Sequence, residues 1–160
     1  MESLGFPGGV TSLAVVALIY SGIPDGHPAI DKALQYLRQV DPQKTYTVAL
    51  QTMAFVAARQ EENRLRIEQN VNWLERAQIK SGPAQGMWSY NLHHAQGGDH
   101  SNTQFALLAL RDASEIGVSV APKTWERTQQ MWRSTQKPDG GWGYRIFPQS
   151  TGCLLYTSDA

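Results

Sequence analysis

Hydrophobic positions along the chain alternate between two kinds of helical segment. In the first kind nearly every position is apolar, as in residues 10–20. In the second kind apolar residues recur at the i, i+3, i+4 and i+7 spacing of one helix face, as in Ile30, Ala33, Leu34 and Leu37. A helix that is apolar all round has to be covered on several sides, whereas a one-striped helix buries a single face. The alternation therefore predicts an all-α fold.

The same pair of segments recurs further along the chain. A broadly apolar segment at residues 46–58 precedes a one-striped segment at residues 65–78. Positions in both helices repeat at a spacing of 37 residues, Ala17 with Ala54 and Leu37 with Leu74. Equal spacing in both members of the pair predicts an internal repeat.

A third pair follows a loop at residues 82–98. Ser101 and Gln104 have the spacing of a capping box, in which two side chains satisfy backbone N–H groups that the first helical turn leaves unpaired. We therefore expect the fifth helix to begin there, with Asn102 and Gln104 as caps. The sixth helix begins at Pro122 and carries an apolar stripe. The sequence thus predicts six helices arranged as three hairpins.

Two glycine-rich turns carry related residues. Gln136, Gly140 and Trp142 form a Q-x-x-x-G-x-W motif, and Trp132 stands one helical turn before the glutamine. An earlier copy has four extra residues between its glutamine and its glycine, and it comprises Trp73, Gln78, Gly86 and Trp88. Each turn ends in W-x-Y. A large aromatic side chain with a polar atom, placed beside a tight turn, is typical of a packing role.

Through these motif residues the chain resembles the prenyltransferase and squalene-oxidase repeat family, which includes squalene-hopene cyclase-like enzymes and protein prenyltransferase beta subunits. The resemblance spans residues 8–146. Within the family, the sequence of this stretch looks most like large bacterial repeat proteins of unassigned activity. It implies a partial α/α toroid, with the broadly apolar helices around a central cavity and the one-striped helices outside. It also implies that each motif glutamine closes an outer helix and that each motif tryptophan joins one hairpin to the next.

The family's catalytic motifs are missing from the sequence. Its cyclases protonate their substrate with an aspartic acid of a D-x-D-D motif, which the sequence does not contain. Its protein prenyltransferases bind zinc through Asp, Cys and His, and the nearest candidates here are His93, His94 and His100, whose spacing matches no closed zinc site. We therefore expect no metal or other cofactor.

Several polar and aromatic residues are candidates for lining the cavity or its rim. They lie in the first turns of the broadly apolar helices or in the W-x-Y turns: Tyr46, Tyr90, Asp99, His100, Asn102, Gln104 and Tyr144. Aromatic rings could line an isoprenoid pocket, while core packing and helix capping are the alternatives for each residue. The expected function is a non-catalytic repeat segment of a larger protein that binds a ligand or partner through the cavity or rim. The alternative is a terpene cyclase or prenyltransferase whose catalytic motif lies outside this sequence.

Charge and hydropathy exclude two classes of partner. The 14 basic and 14 acidic residues give a formal net charge of zero, and Lys and Arg form no cluster that would suit nucleic acid. The longest apolar run, residues 13–20, is much shorter than the roughly 20 residues of a membrane-spanning helix. A hydrophobic small molecule or a protein is the expected partner.

The closing residues have an unusual composition. CLLYTSDA, residues 153–160, includes the chain's only cysteine, Cys153, and corresponds codon for codon to a transposase-type sequencing adapter. We therefore expect residues 1–152 to be the native partial domain and residues 153–160 to be an artefact.

Overall fold

The computed structural model describes residues 6–24, 26–92 and 97–146 of the chain. Within these residues the fold is all-α, as the hydrophobic pattern predicts. Six α-helices follow one another: α1 Gly9–Tyr20, α2 Pro28–Gln39, α3 Thr45–Ala57, α4 Arg64–Ala77, α5 His100–Glu115 and α6 Pro122–Thr135. We refer to α1–α2, α3–α4 and α5–α6 as the first, second and third helix pairs. His93, His94 and residues 153–160 lie outside the described residues.

The ends of the helices follow from residue types at those positions. Pro28 and Pro122 occupy the first position of α2 and α6, where a missing backbone N–H leaves no hydrogen bond unmade. Gly22 and Gly117 follow α1 and α5 with φ of 88° and 81°, a left-handed conformation that glycine adopts without steric cost. These four residues set the lengths of the connections between the paired helices.

The predicted capping box at the start of α5 is wrong. The N-cap lies two residues earlier than Ser101: it is Asp99, and the helix begins at His100. One carboxylate oxygen of Asp99 accepts a hydrogen bond from the Asn102 backbone N–H at 2.8 Å, and the other accepts one from the Asn102 side chain at 2.8 Å. A carboxylate at this position also interacts favourably with the helix dipole. Ser101 therefore lies inside the helix, and Gln104 is an exposed helical residue without a capping role.

Helix α3 is at the centre of the fold. It packs against α1 on one side and α5 on the other, and it also contacts α4. Nine of its residues are buried, including Val48, Leu50 and Phe55, as expected for a helix that is apolar all round. In the one-striped helices α2 and α4, the predicted stripes are the buried faces.

Helix α1 is equally apolar but is covered on one face only. Val15 is buried, while Val10 is 63% exposed and Leu13 is 54% exposed. The difference from α3 arises because α1 packs against α3 and α2, whereas α3 packs against α1, α2, α4 and α5. The fold thus exposes a strip of apolar surface at one end of the α1, α3, α5 row.

Candidate functional site

The first glycine-rich turn is a buried joint between helix pairs. The Gln78 side chain, 1% exposed, donates hydrogen bonds from Nε2 to the Thr124 carbonyl and to Thr128 Oγ1, both at 2.9 Å. Trp88 is fully buried, and its indole N–H donates to the Leu74 carbonyl at 2.7 Å. Thr124 and Thr128 belong to α6, so this turn fixes α6 against the end of α4.

The second turn repeats the same arrangement. Gln136 Nε2 donates to the Gly140 carbonyl at 2.8 Å, as Gln78 Nε2 reaches the Gly86 carbonyl at 3.5 Å in the first turn. The Trp142 indole N–H donates to the Trp132 carbonyl at 2.8 Å. Trp132 stands four residues before Gln136, just as the acceptor Leu74 stands four residues before Gln78.

Backbone conformation supports this equivalence. Both glutamines are helix C-caps with nearly the same torsion angles, φ −64° and ψ 132° at Gln78 and φ −65° and ψ 131° at Gln136. Gly86 and Gly140 have φ of 91° and 87°. Despite the four inserted residues in the first turn, the glutamine and the glycine thus keep the same backbone conformation in both turns.

Trp73 does not belong to this joint. Its side chain is half-buried against the main core, and its indole nitrogen is buried without a hydrogen-bond partner among the described residues. The residue equivalent to Trp132 is Leu74, because the carbonyl that accepts the indole hydrogen bond belongs to Leu74. In the first copy, the motif residue Trp73 thus lies one position before Leu74, the residue that is equivalent to Trp132.

The two turns differ in how closely they are covered. A Cβ atom on Gly86 would lie 2.3 Å from the Arg127 carbonyl oxygen of α6, whereas a Cβ atom on Gly140 would meet open space. Gln136 is correspondingly exposed. The first turn is therefore pressed against a following helix at Gly86, whereas no described atom lies within 4 Å of the equivalent position at Gly140.

Each W-x-Y turn is also hydrogen-bonded to the first residue of its own helix pair. The Tyr90 carbonyl accepts a hydrogen bond from the Thr45 backbone N–H at 2.9 Å, and the Tyr144 carbonyl accepts one from the His100 backbone N–H at 3.0 Å. Thr45 and His100 are the first residues of α3 and α5. These bonds satisfy N–H groups that a helix leaves unpaired at its start.

Four half-buried aromatic residues form a cluster beside these helix starts. We define the aromatic cluster as Tyr46, Tyr90, Phe105 and Tyr144. The ring of Tyr46 lies 4.9 Å from that of Phe105 and 5.9 Å from that of Tyr90, and the Tyr90 and Tyr144 hydroxyls are 3.0 Å apart. The Tyr46 hydroxyl bonds to Ser101. Burial raises the pKa of the Tyr46 and Tyr144 phenols, so both remain neutral near pH 7.

His100 lies beneath this cluster in a packed environment. Its ring is 4.7 Å from that of Trp132, and its Nε2 is 3.2 Å from Thr135 Oγ1. Burial lowers the pKa of His100, because removal from water penalises the charged imidazolium, while the Gly143 and Tyr144 carbonyls act in the opposite direction. The imidazole is therefore a neutral packing residue near pH 7.

The described residues contain no group of three or more His, Cys, Asp or Glu side chains that could hold a metal ion. Because His93 and His94 lie outside those residues, the expected absence of a zinc site stays a prediction. Asp99, 2% exposed, uses both carboxylate oxygens on Asn102. Asp99 is therefore the N-cap of α5, and the four residues of the aromatic cluster include no carboxylic acid.

An apolar groove runs along the outer side of the third helix pair. It has a volume of about 590 Å³ and lies between α5 and α6. Its principal apolar lining residues are Leu107, Leu108, Trp125 and Trp132. We call this feature the α5/α6 groove. Trp125 and Trp132 lie on the apolar stripe that the sequence predicts for α6, and in the structure both stay partly exposed to solvent.

Comparisons with known proteins identify no neighbour: no protein-family model, curated protein or solved structure matches the chain. No helix among residues 6–24, 26–92 and 97–146 is long and apolar enough to cross a membrane.

Proposed function

We propose that the chain is a partial α/α toroid of the prenyltransferase and squalene-oxidase repeat type, built from three hairpins. The proposal is supported by the equivalent hydrogen bonds of the two glutamine turns, each of which joins a glutamine, a left-handed glycine and a tryptophan. It is also supported by the row of broadly apolar helices α1, α3 and α5, with α4 packed against both α3 and α5. The motif residues then have a structural role.

We further propose that this repeat segment belongs to a larger protein and binds a hydrophobic small molecule through its aromatic cluster. The observation that carries the proposal is the cluster itself, in which four half-buried rings from four parts of the chain meet beside the starts of α3 and α5. Half-buried rings retain apolar surface that a ligand can cover, and each Å² of that surface removed from water contributes roughly 25 cal/mol.

The polar groups of the cluster favour binding over catalysis. The Tyr46 hydroxyl is paired with Ser101, and the Tyr90 and Tyr144 hydroxyls are paired with each other. The Asp99 carboxylate is occupied by Asn102. A general acid for polyprene cyclisation has to give up its proton readily, and the raised pKa of the Tyr46 and Tyr144 phenols makes both of them weak acids.

A titration with farnesol, an apolar isoprenoid alcohol, tests the binding function. We expect saturable binding that Phe105→Ala weakens about tenfold, because the substitution removes one ring from the cluster. Tyr36→Ala, an aromatic substitution on α2 outside the cluster, is the matched control and should leave the Kd unchanged. Circular dichroism of both variants checks that helix content is retained.

Two results would contradict this function. The first is farnesol binding that responds equally to Phe105→Ala and Tyr36→Ala, since the cluster would then not be the site. The second is conversion of squalene or farnesyl diphosphate to a product by the purified chain, which would favour the isoprenoid-enzyme alternative.

A further inference from the structure

The last turns of α1, α3 and α5 surround a pocket at the opposite end of these helices from the aromatic cluster. It has a volume of about 680 Å³, which is within the usual range of small-molecule sites. We call it the C-terminal pocket, and its lining includes Ile19, Tyr20, Val56, Arg59, Arg111 and Asp112. Its walls are formed by α3 and by the two helices that pack against α3 on either side.

Arg59 has an unusual backbone conformation beside this pocket. Its φ is 51°, and no other non-glycine residue in the described part of the chain has a positive φ. The residues at the same place after α1 and α5 are Gly22 and Gly117, with φ of 88° and 81°. Each of the three follows a helix C-cap and donates its backbone N–H to the carbonyl three residues earlier, at 3.0 Å from Gly22, 3.1 Å from Arg59 and 2.9 Å from Gly117. Glycine adopts this conformation without steric cost, whereas arginine is strained in it, and strain of this kind is concentrated at functional sites.

The Arg59 guanidinium is a free cation in the pocket. Its side chain is exposed and has no hydrogen-bond or ion-pair partner among the residues that the structure describes. The other arginine of the pocket is occupied, because Arg111 bonds to Asp112 at 2.7 Å and lies 3.6 Å from Glu115. The pocket therefore places one available guanidinium beside the apolar side chains of α1 and α3.

We propose that the C-terminal pocket binds a monocarboxylate with an apolar chain. Arg59 holds the carboxylate, since a guanidinium donates two parallel hydrogen bonds to this group, and Ile19 and Val56 contact the chain. A phosphate monoester carries a charge of about −1.5 to −2, and the Asp112 and Glu115 carboxylates of the same pocket would repel its additional charge. The site is separate from the aromatic cluster, because the 13 residues of α3 place about 20 Å between the two.

A titration with octanoate tests this site, with octanol as the neutral ligand of matched chain length. The backbone amide signal of Gly22, which lines the pocket, should shift saturably in NMR spectra as octanoate is added. Arg59→Gly should weaken octanoate binding about tenfold or more and leave octanol binding unchanged, because it removes a charged hydrogen-bond donor. Arg133→Ala, at an exposed arginine of α6 outside the pocket, is the matched control and should leave the Kd for octanoate unchanged.

Arg59→Gly also tests whether the arginine serves the fold. Glycine occupies the equivalent turns after α1 and α5, so this variant should unfold at a urea concentration no lower than that of the unmodified chain. Arg59→Asn gives a second neutral variant, since asparagine tolerates the left-handed conformation. It should lose octanoate binding to the same extent.

Four outcomes would overturn the proposal. They are the absence of saturable octanoate binding, equal losses from Arg59→Gly and Arg133→Ala, tighter binding of octyl phosphate than of octanoate, and a lower urea midpoint of Arg59→Gly with octanoate binding retained. Phe105→Ala should leave octanoate binding unchanged. Loss of the octanoate site with farnesol binding retained would therefore leave the proposed function standing, and the reverse result would leave this site standing.

Discussion

Replacing Gly86 with alanine is expected to cost the chain about 3 kcal/mol of unfolding free energy or more. Two effects combine at this residue. Its φ of 91° is unfavourable for any residue with a Cβ atom, and the added Cβ would lie 2.3 Å from the Arg127 carbonyl oxygen. Backbone cannot give way as a flexible side chain can, so α6 must move away from the end of α4. Urea unfolding followed by circular dichroism measures the loss.

Gly140→Ala is the control for this experiment. Gly140 has a φ of 87°, but its Cβ would meet no described atom within 4 Å. Only the backbone conformation is penalised, at about 1–2 kcal/mol. Equal losses for Gly86→Ala and Gly140→Ala would contradict the close packing of α6 on the first turn.

Trp88→Ala is expected to have the other largest effect, a loss of about 3–5 kcal/mol. The side chain is fully buried in the main core and its indole N–H bonds to the Leu74 carbonyl at 2.7 Å. Truncation therefore leaves a cavity and removes one of the two hydrogen bonds that the Leu74 carbonyl accepts, the other coming from the Gln78 backbone N–H at 3.1 Å. Since folded domains have a total stability of about 5–15 kcal/mol, the loss is a large part of the whole. Urea unfolding again provides the measurement.

Trp142→Ala and Trp88→Phe separate the causes of that loss. Trp142 makes the equivalent hydrogen bond but is only half-buried, so its removal should cost clearly less than removal of Trp88. Trp88→Phe keeps most of the apolar volume and should cost mainly the hydrogen bond, about 1 kcal/mol. A loss from Trp88→Phe as large as that from Trp88→Ala would show that packing of the ring contributes little.

Much of the fold could be predicted because the spacing of hydrophobic residues within a helix indicates which of its faces is buried. The stripe of α2 and the all-round apolar character of α3 both match the buried residues. The same reasoning overstated the burial of α1, because the sequence of a helix does not reveal which neighbours it has. The N-cap of α5 was misplaced by two residues, since Asp99 and Ser101 both have side chains that can cap a helix and only the folded backbone selects Asp99.

The residues of the candidate site could be predicted from the sequence, but their hydrogen-bond partners could not. The spacing of Gln136, Gly140 and Trp142 indicated a structural turn, but the partners of Gln78 come from α6, 46 and 50 residues further along the chain. No local signal identifies Thr124 and Thr128 as those partners. Contacts of this range depend on how the helices pack, which the repeat pattern suggests only in outline.

Each glutamine turn is closed by its tryptophan, whose indole N–H bonds to the carbonyl of the residue four positions before the glutamine. Solvent exchange of the indole N–H groups in a ¹⁵N-labelled chain, assigned with single Trp→Phe variants, tests it most directly. Trp88 and Trp142 should both exchange more slowly than Trp125, for which the described residues supply no acceptor, and Trp88 should be slowest because it is fully buried. Exchange of Trp142 or Trp88 as fast as that of Trp125 would contradict the claim.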